Sequence, residues 1–176
     1  MNQGHLIGHT GESLAALLLL HRKHHIVSRN FIARGGELDI ISLRSGVLHV
    51  VEVKSAQMDI SRSELESVSY ETKISLHYLV LARIRETIYG FGVGTEAFSC
   101  LGWRISVSCE TSTESINLID RVDNWKLQNI SRALRHFLSD KPKYRDLPTQ
   151  IDVMEVVLDF HKKLAIIRVT EQVMSS

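Results

Sequence analysis

Two β-rich runs near the middle of the first half carry charged residues where apolar ones would pack better. Val47 to Lys54 reads Val-Leu-His-Val-Val-Glu-Val-Lys, and Glu37 to Leu43 reads Glu-Leu-Asp-Ile-Ile-Ser-Leu. Strand side chains alternate faces, so Glu52 and Lys54 point the same way, on the face that also carries Leu48 and Val50. A Glu and a Lys in such a strand are costly unless they are paired, solvated at an edge or bound to something. Asp39 joins them through the turn. With Ser45-Gly46 as a two-residue turn, Arg44 pairs with Val47, and counting back sets Asp39 opposite Glu52. Directly opposed residues have Cβ atoms roughly 4.5–5.5 Å apart. Two carboxylates that close repel unless a proton or a cation lies between them. A slip of one residue would send them to opposite faces.

Two carboxylates beside a lysine suit phosphodiester hydrolysis. Hard oxygen ligands and retained waters are what Mg²⁺ prefers, with Mn²⁺ as the substitute. Such an ion polarises a phosphoryl oxygen and acidifies a bound water. Lys54 would orient or help deprotonate the attacking water, or neutralise charge growing on the phosphate. Glu12 is the candidate third acid. On a first helix it shares a face with Ala15, Ala16 and Leu19, and it would hold a metal-bound water or a second ion. The expected metal ligands are Asp39, Glu52 and Glu12. Each group has an ordinary alternative: Glu12 as a helix-start acid, Asp39 as support for the Gly35-Gly36 bend, Glu52 and Lys54 as a solvated strand-end pair.

The elements that must position these residues follow from periodicity. Leu14, Leu17 and Leu18 lie at helical spacing in a helix from about Leu6 to His24. Strands follow over Ile26 to Ala33, Glu37 to Leu43 and Val47 to Lys54, the last two joined as a hairpin. A further helix is expected over Ser63 to about Ile88, and a strand over Trp103 to Cys109. Asp123 to Ser139 has a clear apolar face and reads as a helix. Ile151 to Phe160 and Lys163 to Val169 read as a closing hairpin. The order predicts an α/β domain with a mixed sheet flanked by helices.

Composition sets the outer limits. The 176 residues are 44% apolar and 23% charged, enough for one domain with a real core. The net charge is only +1, so nucleic-acid affinity would need a local basic face. Arg29, Arg34, Lys126, Arg132 and Arg135 are candidates for phosphate contact, with a solvated surface as their alternative. Cys100 and Cys109 fit no zinc or redox spacing, and none of the nine histidines falls in a structural-zinc pattern. Leu14 to Leu20 is too short to cross a membrane. A soluble, cytoplasmic protein is expected.

The motifs now assembled resemble a known family. Gly11-Glu12, Arg29-Asn30-Phe31, Gly36-Glu37-Leu38-Asp39-Ile40-Ile41 and Val51-Glu52-Val53-Lys54 look like the YraN-like family of small bacterial proteins. That family is similar to the PD-(D/E)XK nucleases and to archaeal Holliday-junction resolvases. Trp125-Lys126-Leu127 with its helix, and Ile151-Asp152-Val153-Met154-Glu155-Val156, resemble the family's closing helix and strand. The resemblance implies one restriction-endonuclease-like domain over residues 1–176. It also implies a catalytic set of Glu12, Asp39, Glu52 and Lys54, a Mg²⁺ or Mn²⁺ cofactor, and DNA, branched or damaged, as the partner. A two-fold dimer would suit cutting of both strands. Residues 57–114 exceed the typical family length. Lys73 competes with Lys126 for the family's helical lysine. The usual aromatic or arginine before the late acid is here Gln150-Ile151. Two other readings are a nucleic-acid-binding module without catalysis and a protein-interaction module acting through the middle segment.

Overall fold

The computed structural model describes residues 2–67, 74–75, 102–108 and 124–175. Its frame starts at the hairpin turn. Ser45 and Gly46 both have positive φ, 51° and 80°, which matches the right-handed twist of the strands they join. The turn sets β2 (Gly36–Arg44) against β3 (Val47–Gln57) with Arg44 opposite Val47, the register expected from the sequence. β1 (His25–Ala33) pairs antiparallel with β2 on its other side.

Helix α1 (Gln3–His21) precedes these strands. After them come the short helix α2 (Arg62–Ser67), a two-residue strand β4 (Ile74–Ser75), β5 (Arg104–Ser108) and helix α3 (Asn124–Asp140). β6 (Thr149–Asp159) and β7 (Leu164–Ser175) close the chain. The sheet runs β1-β2-β3-β6-β7-β5-β4 and is mixed, with parallel pairs β3·β6 and β5·β7.

The sheet buries both faces. On one, Leu14 and Leu18 of α1 meet Ile40, Val51, Met154, Val156, Trp103, Ile105 and Val107. On the other, Ile130, Ala133 and Phe137 of α3 meet Leu38, Ile41, Leu48, Val50 and Ile151. The expected α/β architecture is thus present.

The expected long helix over Ser63–Ile88 is corrected. Its first turns form α2, but Ile74–Ser75 is a strand paired with β5. By residue type, Val68, Ser69, Tyr70 and Thr72, between α2 and β4, are weak helix formers. The rest of that segment, Lys73, Cys100 and Cys109 lie outside the described residues. Ile105 and Val107 of β5, with Trp103 just before it, are buried in the α1-side core. Among the described residues no helix is long and apolar enough to cross a membrane.

Candidate active site

The β2–β3 ladder runs from Arg44↔Val47 to Ile40↔Val51. One step further, Asp39 would face Glu52. There the backbone pairing gives way to a side chain: the Asp39 Oδ2 accepts the Val53 N–H at 2.8 Å. Asp39 therefore satisfies a strand donor while its carboxylate sits at the mouth between the two strands.

Glu52 projects onto the α3 face, as its parity with Leu48 and Val50 requires. Its side chain is only 2% exposed. Oε1 accepts from Lys54 Nζ at 2.7 Å and lies 3.0 Å from Lys126 Nζ, supplied by the first turn of α3. Oε2 is buried without a hydrogen-bond partner. A buried acceptor left unsatisfied costs about 1–3 kcal/mol, more when it carries charge. The solvated strand-end alternative is thereby excluded for Glu52.

The protonation states follow from these neighbours. Burial, then the charge of Glu52, pushes the Asp39 carboxyl up to about 7, against the pull of the Val53 N–H and Lys126. Burial works to lower Lys126, but Glu52, Asp39 and Glu37 together outweigh it and the ammonium is held above its ordinary value. Glu37, exposed, adds a weaker contact to Lys126 at 3.8 Å. Burial raises Glu12, opposed by the charge of Arg29, a hydrogen bond with Asn30 and the charge of His9. Glu12 lies mid-helix, not in the first turn of α1, so its helix-start alternative fails. It belongs to the helix on the sheet face opposite α3, yet its charge still acts on Asp39.

A divalent cation fits this chemistry. Asp39 and Glu52 converge, Asp39 holding a proton near neutrality because of burial first and the charge of Glu52 second, and Glu52 keeps an orphaned oxygen. Among the described residues no group of three or more His, Cys, Asp or Glu side chains is disposed around one metal position. Of the three expected ligands, Asp39 and Glu52 could face one ion, and Glu12 is not gathered with them into a three-ligand group.

The five candidate DNA contacts divide, with Arg135 exposed on α3. Lys126 turns inward to Glu52, not outward as a free surface cation. Arg29 is partly buried and reaches back to Ser13 Oγ at 3.4 Å, tying β1 to α1. Arg34 and Arg132 are exposed at one corner, where Arg132 donates to Asn129 Oδ1 at 3.1 Å and its stem lies beside Gly35.

Asn30 acquires a role that sequence reasoning did not assign. It has φ of +49° within β1, between Arg29↔Ile40 and Phe31↔Leu38, which sets it level with Asp39. Asparagine tolerates that left-handed conformation better than most residues. From there its side chain steadies Glu12. Asparagine inside a β-rich run is the one signal the sequence offered.

A mixed sheet between helices, with acids and lysines gathered where β2 and β3 part, is an α/β fold of the restriction-endonuclease-like kind. Residues 11–86 match the model for "Uncharacterised protein family UPF0102", and over that stretch the chain is similar to that family. The match includes Glu12, Asp39, Glu52 and Lys54. A UPF0102 protein of Campylobacter fetus subsp. fetus is 44% identical over 55 residues, 31% of this chain and 49% of its own. One from Wolinella succinogenes is 50% identical over 48 residues, 27% of this chain and 44% of its own. A UPF0102 protein of Clostridium tetani is 29% identical over 92 residues, 49% of this chain and 75% of its own. The chain spans about half the length of the first two relatives.

Proposed function

We propose that this protein is a Mg²⁺- or Mn²⁺-dependent endonuclease that hydrolyses phosphodiester bonds in DNA, branched or damaged duplex among its candidate substrates. The observation that carries the reading is the buried, unpartnered Oε2 of Glu52 beside an Asp39 carboxyl that holds its proton to about 7.

Asp39 and Glu52 would hold the ion, which supplies positive charge to polarise a phosphoryl oxygen and acidify the attacking water. Lys54, 22% exposed and anchored on Glu52, would orient that water and offset charge developing on the phosphate. Lys126 holds Glu52 Oε1 at 3.0 Å and would fix its rotamer, a positioning role. Glu12, held by Asn30 and Arg29, adds a further acid on the Asp39 side. Arg34 and Arg132 supply an exposed basic corner for backbone phosphates.

The test is incubation of linear and branched DNA with Mg²⁺, Mn²⁺ or chelator, beside Asp39→Ala and Lys54→Ala. Metal-dependent cutting by the wild type, lost in both variants, is the expected result. Salt-sensitive DNA binding with no cutting under any metal would replace the enzyme with a binding module.

A further inference from the structure

Among the described residues, the large hydrophobic side chains left in water are Leu6, Ile32 and Trp125, exposed by 40%, 78% and 68%. Two of the three fall beside the carboxylate site. Ile32 pairs across β1 and β2 with Glu37. Trp125 directly precedes Lys126, whose Nζ lies 3.8 Å from Glu37 and 3.0 Å from Glu52. Successive residues of a helix are turned about 100° apart. Lys126 therefore reaches in to the carboxylate while Trp125 stands out from the rim. Residue type alone does not explain that exposure. Trp103 is buried and packs edge-on to Phe160, with centroids 5.3 Å apart.

The exposed side of α3 continues from the indole. Trp125, Gln128, Arg132, Arg135 and His136 face solvent, while Ile130, Ala133, Leu134 and Phe137 pack on the sheet. At 1.5 Å per residue, Arg132 lies about 10 Å and Arg135 about 15 Å along the axis from Trp125. No acidic residue occurs between Trp125 and Arg135. Arg34 joins them from the β1–β2 turn, where the Arg132 stem lies against the neighbouring Gly35.

We infer that Trp125 is a stacking platform for an unpaired DNA base, with phosphates of the same strand passing over Arg132 and Arg135. The inference rests on the reading of DNA as the partner of the carboxylate site. It names the substrate more closely: DNA with an unpaired stretch beside the bond to be cut. Any base offers a flat face to an indole once it is unstacked, whereas a base inside a duplex is already covered by its neighbours. Guanidiniums ranged beyond a lone aromatic match a strand, whose bases and phosphates alternate. A protein partner would call for a wider apolar patch.

The test is DNA binding by the full chain with chelator present, so that cutting plays no part. It is followed by anisotropy of labelled DNA and by intrinsic tryptophan fluorescence. The wild type should bind a single-stranded oligonucleotide and be quenched by it. Trp125→Ala should weaken that binding about tenfold or more and leave fully paired duplex bound as before. Trp125→Phe should keep most of the affinity, because a phenyl ring still stacks, but lose the quenching, because buried Trp103 alone remains. Arg135→Ala should weaken both DNAs alike and lessen their salt dependence. The inference is overturned if the wild type does not bind the single strand, or if W125A binds it as the wild type does. It is equally overturned if W125A loses the duplex to the same degree, if W125F is still quenched, or if R135A changes neither affinity. Metal-dependent cutting without Trp125-dependent binding would keep the endonuclease reading and remove this one. Trp125-dependent binding with no cutting under any metal would do the reverse.

Discussion

Glu52 is a charged side chain set into the wall of a core, and its neighbours decide whether the protein tolerates it. Lys54 and Lys126 both bind Oε1. Removing one partner of a buried pair costs far more than removing both, because the survivor keeps its desolvation penalty. Lys126→Ala should therefore lower the melting temperature, by about 1–3 kcal/mol of stability given that Lys54 remains. The double variant E52Q/K126A should recover part of that loss in a double-mutant cycle. Additive losses would mean the two side chains do not meet. Glu52→Gln makes a second prediction. It removes a charge that raises Asp39, so the Asp39 carboxyl should titrate below about 7, read by ¹³C NMR of the carboxyl. An unchanged midpoint would separate the two acids. At this scale the sequence was informative along the chain and silent across it. Asp39 opposite Glu52 could be counted from the turn. That Lys126 reaches Glu52 depends on where α3 lands on the sheet, which periodicity does not encode. The positive φ of Asn30 was hidden because strand patterning reports faces, not single-residue backbone departures.

The elements are locked together at two glycines, and the two locks differ in kind. At Gly11, α1 crosses the sheet so closely that an added Cβ would fall 1.8 Å from Ser55 Oγ and 2.8 Å from Ser55 Cβ. At Gly36, an added Cβ would meet the Asn129 backbone carbonyl oxygen of α3 at 2.5 Å. A side chain can be trimmed, whereas a helix backbone must move as a unit. Gly11→Ala should cost about 1–3 kcal/mol, the range for overpacking, and Ser55→Ala should restore part of it in thermal melts. Gly36→Ala has no such remedy, and should also disturb Lys126 on the same helix. If S55A fails to improve G11A, the close approach of α1 to β3 is not what limits the site. Strongly patterned elements were legible here: the β2–β3 hairpin, the closing hairpin and the amphipathic α3 all fall near their expected places. The helix expected beyond Ser63 failed because Ile74 and Ser75 take their conformation from a neighbouring strand, not from local propensity.

Over the whole molecule, buried acids and a buried histidine set how stability responds to pH, and a cation should change that response. Asp39 is raised from 3.8 to about 7, so its stabilising contribution is full below 3.8 and is lost as pH rises through 7. Glu12 is raised too and acts in the same sense. His24 is lowered from 6.5 to about 4, so its contribution is full above 6.5 and is lost as pH falls through 4. Asp159, at the β6–β7 turn, is lowered to about 2 by the backbone N–H groups of Lys162 and Ile60, and matters only in strong acid. Between pH 4 and 6.5 Asp39 and His24 therefore oppose each other. Above 6.5 the Asp39 slope stands alone, and the melting temperature should fall as pH rises through 7. A divalent ion binds the ionised acid, so added Mn²⁺ should raise the melting temperature little in mild acid and increasingly above about pH 7. Asp39→Asn should flatten the decline and abolish the Mn²⁺ effect together, since one group underlies both. A wild type whose stability holds or rises through that window, with no dependence on Mn²⁺, would show that the Asp39 carboxyl is not held up beside Glu52 and awaits no metal.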